Sequence, residues 1–348
     1  MYEKKIGLLL INLGTPDSYE PKDVYRYLIE FLTDQRVIDF PWLKRQLLVR
    51  GVIVPGRYKQ SAKAYKEIWT DEGSPLLVYT ERLKKLLKTE VDENCHIEIA
   101  MRYGNPSIQS AISTLMQENI DDLLILPLFP QYASATTGSI YQKVMEVLST
   151  YSVFPKITFV NQFATHPGFI DPFVEIGKTY PLKQYDHILF SFHGLPESQI
   201  RKTDCRNYCL EKNDCCRRIN ENNKNCYSAQ CYATMYAIAK GLDLAPDDYS
   251  LCFQSRLGKE PWLQPYASDV IHNLAKEGCK KLLIFCPSFV SDCLETIYEF
   301  GVEYQREFKA AGGEQLELVR GLNNHQSWIK GLAEIAGSHN YLVSNLPF

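Results

Sequence analysis

The sequence lacks the usual cradles for nucleotide phosphates: no Gly-x-Gly-x-x-Gly follows its first apolar strand, and no Walker-type loop occurs anywhere. A nucleotide enzyme is therefore unsupported, despite a strand-and-helix alternation that resembles a nucleotide-binding fold. No stretch approaches the roughly 20 apolar residues of a membrane span. The early run at 6–11 is too short for a signal peptide and no small-residue cleavage site follows it, so a cytoplasmic location is expected. Positive charge is not in excess either. The formal net charge of −3 gives no footing for a nucleic-acid partner. Paired Cys-x2-Cys knuckles, the usual mark of a structural zinc site, are also missing.

What the chain does have is length and apolar content. Its 348 residues, 45% of them hydrophobic and 23% charged, suffice for two globular domains. Buried parallel strands are expected at 6–12 (IGLLLIN), 96–103 (HIEIAMRY) and 123–127 (LLILP), with helices at 21–32, 76–88, 108–117 and 139–151. The second half repeats this plan. A strand at 187–192 followed by His193-Gly194-Leu195-Pro196 echoes the first strand and Leu13-Gly14-Thr15-Pro16. The segment 250–255 echoes the strand ending in Tyr103-Gly104, and 282–287 (LLIFCP) echoes 123–127. Paired landmarks in one order predict an α/β protein of two similar Rossmann-like, doubly wound domains with parallel sheets. The expected boundaries are 1–160, 161–322 with a cysteine-rich insertion at 203–231, and a closing helical segment at 323–348. Two such domains are expected to leave a cleft for a ligand.

Several residues could carry chemistry. The stretch 281–300 (KLLIFCPSFVSDCLETIYEF) runs a strand into Pro287, a short turn, and a helix expected to start near Ser291. There Asp292, Glu295 and Glu299 stand at i, i+3 and i+7, on one helix face beyond a strand's carboxyl end, where open α/β sheets place ligands. Clustered carboxylates repel unless a cation or proton sits among them. An N-cap with its partner acid three residues on would explain Asp292 and Glu295 without any ligand. His193 is expected on the same sheet edge as Glu295 and Glu299, as a proton acceptor or metal ligand. A turn histidine bonded to a backbone carbonyl is the plain alternative. Arg102 and Tyr103 end one strand, Ser134, Thr136 and Thr137 sit in the loop after another, and such groups suit an anionic planar ligand, although Thr137 or Ser139 would also serve as a helix N-cap.

Two segments are unusual. Residues 40–58 (FPWLKRQLLVRGVIVPGRY) interleave apolar side chains with arginines and a lysine. A solvated helix explains them, and the chain alone favours it. An apolar lip with a basic rim touching membrane lipids is the other reading. The chain also holds 11 cysteines, crowded most densely into Cys205-x3-Cys209-x5-Cys215-Cys216-x9-Cys226-x4-Cys231. That segment is polar and poor in periodic apolar residues, so burial alone gives it little means to fold. In a reducing compartment a metal centre is favoured over disulfides, and the loose spacing leaves both zinc and an iron–sulfur cluster open.

Six ordered segments, LLINLGTPDS, MRYGNPSIQSA, LPLFPQYASATTGS, SFHGLP, FQSRLGKEPWLQP and CPSFVSDCLETIYE, resemble those of the ferrochelatase family over nearly the whole chain. The resemblance implies two Rossmann-like domains around a porphyrin cleft. It also implies insertion of Fe²⁺ into protoporphyrin IX with release of two protons, the last step of haem synthesis. By motif His193 takes the place of the family's histidine and Glu295 that of its essential acid. Glu299 falls in the acidic row said to lead metal inward, on a helix that carries a π-type widening. The opposite assignment makes His193 and Glu295 direct iron ligands. Phe40, Trp42, Leu47, Leu48, Val52 and Ile53 of the lip (about 36–58) would hold the ring. Arg102, Tyr103, Tyr132, Ser134 and Thr136 are implied near its propionates or edge.

This chain departs from the family pattern in two places. Cys293-Leu294-Glu295 replaces the histidine-led triplet of many members, a variant that leans toward protoporphyrin over coproporphyrin. The cysteines lie mid-chain, which resembles a bacterial subgroup with an internal [2Fe–2S] cluster. The implied ligands are Cys209, Cys216, Cys226 and Cys231, with Cys215 as rival to Cys216, and the cluster's role would be structural or sensory. Peripheral membrane contact through the lip and a monomer or homodimer are the associated expectations. The competing readings are a related chelatase for cobalt or nickel and a non-catalytic metal-sensing protein on the same fold.

Overall fold

Two parallel sheets with one strand order carry the chain, in a computed structural model that describes residues 4–338 apart from 213, 257 and 259. The chain divides into two units. One comprises Met1–Phe129, Ala133–Asn161 and Ile329–Phe348, and the other Pro130–Tyr132 and Gln162–Trp328.

In the first unit β1 (Ile6–Thr15), β2 (Cys95–Gly104), β3 (Asp122–Pro127) and β4 (Lys156–Phe159) pair in the order β2-β1-β3-β4. Ile6 stands opposite Cys95 on one side and Asp122 on the other. β1 reads as an unbroken apolar run because the centre of a parallel sheet is covered on both faces. Leu9, Ile11, Leu123 and Ile125 pack on Ile112, Leu115, Ile140 and Val144 of helices Ile108–Gln117 and Ser139–Leu148.

The second unit repeats the order with β5 (His187–His193), β6 (Tyr249–Gln254), β7 (Lys281–Phe285) and β8 (Gln315–Leu318), as β6-β5-β7-β8. Its core sets Leu189, Cys252, Leu282 and Ile284 against Ile271, Ala275, Phe300 and Phe308. The echo read from sequence is thus a repeat of topology, and it extends to details. A Cβ on Gly14 would lie 1.8 Å from the Tyr103 carbonyl oxygen, and one on Gly194 would lie 2.8 Å from that of Gln254. Each glycine lets the first strand of its sheet pass hard against the end of the second. After each second strand the chain turns back in the same way: Met101 N–H donates to the Pro106 carbonyl at 2.7 Å, and Phe253 N–H to that of Pro265 at 2.8 Å.

Several expectations need correction. Each sheet has a fourth strand beyond those the sequence pattern indicates. The helix expected from Ser291 begins at Leu294, and Leu294–Tyr304 is wound as a π-helix before Gln305–Ala310 continues as α. The 40–58 segment is helical, in direct succession Trp42–Leu48, a π turn Val49–Ile53, and Val54–Ile68. Trp42, Leu43, Leu47 and Val52 are each more than 60% exposed, whereas Val49 and Val54 are buried. Arg45 does not belong to a basic rim. It is buried, and its guanidinium donates to the carbonyls of Thr33 and Phe40. Within the closing helical segment expected at 323–348 the helix is Gln326–Gly337, and positions from 339 lie outside the described residues. Among the described residues no helix is long and apolar enough to cross a membrane.

Candidate active site

The carboxyl edge of the second sheet brings together His193, Glu295 and Glu299. His193 is the last residue of β5, and three bonds fix its main chain. Its N–H donates to the Ser288 hydroxyl at 3.2 Å, its carbonyl accepts from the Tyr227 hydroxyl at 2.8 Å, and the N–H of Gly194 donates to the Gln254 carbonyl at 2.8 Å. The imidazole is partly accessible, and its Nδ1 lies 2.7 Å from the Gly194 carbonyl oxygen. A carbonyl can only accept, so Nδ1 carries the proton, and in the neutral ring Nε2 keeps an open lone pair. Burial lowers the His193 pKa, against the opposing pull of Glu295 and the Gly194 bond, so the neutral ring prevails at neutral pH.

Glu295 and Glu299 follow one another on the widened helix, both partly accessible. Glu299 is held tightly. Ser255 donates to its two carboxylate oxygens at 2.9 and 2.8 Å, and the Gln254 amide donates to one of them at 3.0 Å. The same amide reaches the Glu295 carbonyl at 2.9 Å, while the Gln254 side-chain oxygen accepts from Ser191. Burial pushes the Glu299 pKa up, and the charge of Glu295 pushes it further, to about 8 despite these hydrogen bonds. Ser255 adopts a positive φ of 65°, a conformation that costs a non-glycine residue about 1 kcal/mol or more. Gln254, Ser255, Tyr227 and Ser288 are not among the residues that the sequence marks out. The signal for the first two was their place at the end of the strand that echoes Met101–Gly104.

Asp292 does not join the acidic row. It precedes the helix, and its carboxylate accepts from Asn323 Nδ2 at 2.7 Å, from the Gly321 N–H and from the Thr296 hydroxyl. Its work is to tie the start of the helix to the segment after β8.

Residues expected near a substrate in the first unit form a network around Asp34, which the sequence did not reveal. Arg102 Nη2 lies 2.6 Å and the Tyr103 hydroxyl 2.8 Å from its carboxylate, and the Ser139 hydroxyl also donates to it. Burial acts to raise the Asp34 pKa, but the bonds from Ser139 and Arg36 and the Arg102 charge outweigh it and hold the carboxyl ionised. Tyr103 is fully buried and Arg102 partly buried, with both polar ends occupied within the unit. Ser139 serves this network, not a helix cap. Ser134 accepts from Arg36 Nη1 at 2.9 Å within the π turn Ser134–Gly138, where Thr136 is half-buried and Thr137 buried. Phe40 is exposed and Leu48 half-buried. In the second unit the Tyr132 N–H donates to Gln230 Oε1 at 2.8 Å, and the ring is half-buried.

The cysteine segment gathers thiols without closing on a metal. Cys216 Sγ lies 3.4 Å from Cys215 Sγ and 3.9 Å from Cys226 Sγ, and Cys209 is hydrogen-bonded to Cys226. All of these are buried, while Cys205 is exposed. Cys231, one turn into helix Tyr227–Gly241, bonds to the Tyr227 hydroxyl and is near enough to Cys216 to feel its charge. Burial raises the Cys209 thiol to about 11, and the Cys226 bond together with burial raises Cys216. Among the described residues no group of three or more His, Cys, Asp or Glu side chains is arranged as a metal site.

The profile of the family described as Ferrochelatase matches residues 5–340. A Legionella pneumophila (strain Lens) protein named Ferrochelatase is 43% identical over 329 residues, covering 94% of this chain and 98% of its own. One from Bdellovibrio bacteriovorus with the same name is 43% identical over 335 residues, covering 96% and 99%. Among solved structures, the sirohydrochlorin chelatase SirB from Bacillus subtilis subspecies spizizenii, in complex with cobalt, aligns with a TM-score of 0.53 at 9% identity over 97% of this chain and 96% of its own. At that identity the likeness extends to the fold alone.

Proposed function

The chain belongs to the ferrochelatase family and inserts ferrous iron into protoporphyrin in haem biosynthesis, and we propose that His193, Glu295 and Glu299 are the groups that carry the insertion. The overall change is Fe²⁺ plus free-base porphyrin giving haem and two protons. A base must take protons from the pyrrole nitrogens, and anionic oxygens must replace water around the metal. The observation that carries the reading is the open Nε2 of His193, left by the Nδ1 bond to Gly194. A neutral imidazole in a fixed tautomer, with its pKa held below the usual value, accepts a proton as a general base. The same lone pair is what a direct iron ligand would use, so the base and ligand roles share one geometry.

Glu295 and Glu299 supply the oxygens. With its pKa raised to about 8, Glu299 is mostly protonated at neutral pH and releases that proton as Fe²⁺ arrives. The Ser255 and Gln254 donors fix the carboxylate so that it hands the metal on without reorganising. In the first unit Phe40, Trp42, Leu47, Leu48, Val52 and Ile53 offer apolar contact to the macrocycle. The exposure of Trp42, Leu47 and Val52 supports that role and would equally suit contact with a lipid surface. Arg102 and Tyr103 act within this scheme through Asp34, by holding the segment that ends in the lip.

The cysteine pocket is a distinct element. Its donor set fits a [2Fe–2S] cluster: buried thiols with sulfurs 3.4 and 3.9 Å apart, in a polar segment that gains little from burial. Cys209, Cys226 and Cys216 lie side by side, and the Leu210 N–H donating to Cys215 Sγ supports Cys215 as the fourth in place of Cys231, so the two adjacent cysteines are partners in this reading and not the rivals expected from sequence. The cluster would supply folding energy to its loop, and iron insertion needs no electron from it.

Anaerobic mixing of the protein with Fe²⁺ and protoporphyrin IX tests the catalytic reading. The free-base bands should give way to those of haem. Conversion no faster than in buffer would overturn it.

A further inference from the structure

Tyr227 joins two features of the second unit that otherwise stand apart. It is the first residue of helix Tyr227–Gly241 and directly follows Cys226, which caps that helix and whose sulfur lies 3.9 Å from Cys216 Sγ. The Tyr227 side chain is 6% exposed, and its hydroxyl donates to the His193 main-chain carbonyl at 2.8 Å. Cys231, on the next turn, touches the same hydroxyl. Neighbouring residues at one helix end therefore hold the thiol pocket with one side chain and the histidine's backbone with the other.

The bond matters because of what it fixes. The His193 carbonyl belongs to the peptide that leads to Gly194, and the Gly194 carbonyl in turn orients the imidazole through Nδ1. Without the Tyr227 donor that partly buried carbonyl loses this partner, and the peptide is free to tilt. A tilt of a few tenths of an ångström at the peptide is carried to Nε2, where a proton must pass over hydrogen-bond distance.

We propose that Tyr227 is a positioning residue for His193, and that through it the state of the cysteine pocket sets the rate of insertion. The inference rests on the role given to His193 above. A change in the pocket, by loss of a thiol or of what the thiols hold, displaces Cys226 and the first helical turn. The Tyr227 hydroxyl moves with that turn and withdraws from the carbonyl. Glu295, Glu299 and the lip side chains do not bond this peptide, so with His193 acting as the base the effect falls on turnover and leaves binding alone.

The test is Tyr227→Phe in the full chain, which keeps the ring and removes the hydroxyl, assayed anaerobically with Fe²⁺ and protoporphyrin IX. The expected result is a kcat lower by about tenfold, with KM for each substrate within about twofold and an unchanged far-ultraviolet spectrum. Cys226→Ser should lower kcat in the parent and do little more in the Tyr227→Phe background. A readout without turnover is the imidazole resonance of His193 in ¹⁵N-histidine-labelled, metal-free protein. It should move in either single variant and no further in the double. Where Cys226→Ser fails to fold, Cys215→Ser takes its place. Parental kcat in Tyr227→Phe, or single effects that multiply in the double variant, would overturn the inference. An active His193→Ala would sink the role of His193 itself, whereas an inactive His193→Ala beside a fully active Tyr227→Phe sinks this inference alone.

Discussion

His193 Nδ1 and the carbonyl oxygen of the next residue, Gly194, lie 2.7 Å apart, so the ring is locked by its own backbone and Nε2 is the nitrogen left with a lone pair. A backbone carbonyl or a carboxylate commonly supplies such a lock to a working histidine. Here the lock is local, and Glu295, whose charge acts on the ring and whose carboxylate is hydrogen-bonded to Cys293, takes no part in orienting it.

That arrangement predicts the behaviour of His193→Ala. Insertion should fall by a factor of about 10² or more, the usual worth of a general base. Porphyrin affinity, read by quenching of porphyrin fluorescence, should stay within a few-fold. Turnover near the parental rate would remove His193 from the reaction.

Glu299 gives a prediction in pH. Its pKa is raised to about 8 in the folded state, above the 4.5 of a free glutamate. Between those values the unfolded chain is ionised and the folded one is not, so the native state binds more protons and loses stability as pH rises. Glu299→Gln cannot ionise. In metal-free protein at pH 8 it should melt higher than the parent by about 2–4 °C, the scale of ~1 kcal/mol in domains of this size. Near pH 4.5 the difference should vanish. Iron use should show the complementary sign: kcat/KM for Fe²⁺ rises with pH toward about 8 in the parent and stays flat in the variant. A variant that melts lower than the parent at every pH would contradict the raised pKa.

Much of this was legible in the residues, for a physical reason. A central parallel strand is covered on both faces, so β1, β3, β5 and β7 announce themselves as apolar runs. The repeat of Leu-Gly-Thr-Pro and His-Gly-Leu-Pro could be seen because the glycine of each is demanded by a neighbouring carbonyl. The edge strands after β3 and β7 gave no such sign, unlike β2 and β6 on the opposite edges. β4 (KITF) and β8 (QLEL) are short, half polar and partly exposed. The π winding of Leu294–Tyr304 was invisible to spacing, because acids at i and i+4 share a face in either helix type. It reached the expectation only through the family resemblance. Asp34 and Gln254 were missed because their partners lie far along the chain, and no local pattern marks a residue whose role is to receive Arg102 or to bridge Ser191 and Glu299.

Asp292 distinguishes an anchor from a metal ligand. Its carboxylate takes hydrogen bonds from Asn323, Gly321 and Thr296, all at a buried position. Asp292→Ala strands those donors and should cost about 2–3 kcal/mol, read from a denaturant midpoint. At a temperature where the variant is folded, KM for Fe²⁺ should remain parental. A large rise in KM with undiminished stability would return Asp292 to the metal path.

The exposed helix at 42–53 predicts a different split. Trp42 and Leu47 are 67% and 66% exposed, so replacing both by serine should leave the melting temperature within about 1 °C. If they grip the macrocycle, KM for protoporphyrin should rise by about tenfold, since burying two such side chains is worth a few kcal/mol at most. A parental KM together with weaker sedimentation on lipid vesicles would assign the face to a membrane.

The cysteines allow the assignment of the pocket to be tested thiol by thiol. A cluster held as proposed should give anaerobically purified protein visible absorption that Cys226→Ser abolishes, because Cys226 lies against both Cys216 and Cys209. Cys205→Ser should leave the colour intact, since that thiol is exposed and apart from the pocket. The informative pair is Cys215 and Cys231. Cys215 Sγ stands 3.4 Å from Cys216 Sγ and accepts the Leu210 N–H, as a thiolate ligand would, whereas Cys231 meets a tyrosine hydroxyl. Cys215→Ser should therefore bleach the protein and Cys231→Ser should not. The reverse pattern would mean that helix Tyr227–Gly241 turns its second thiol into the pocket when iron binds, and would exchange the two residues in the ligand set.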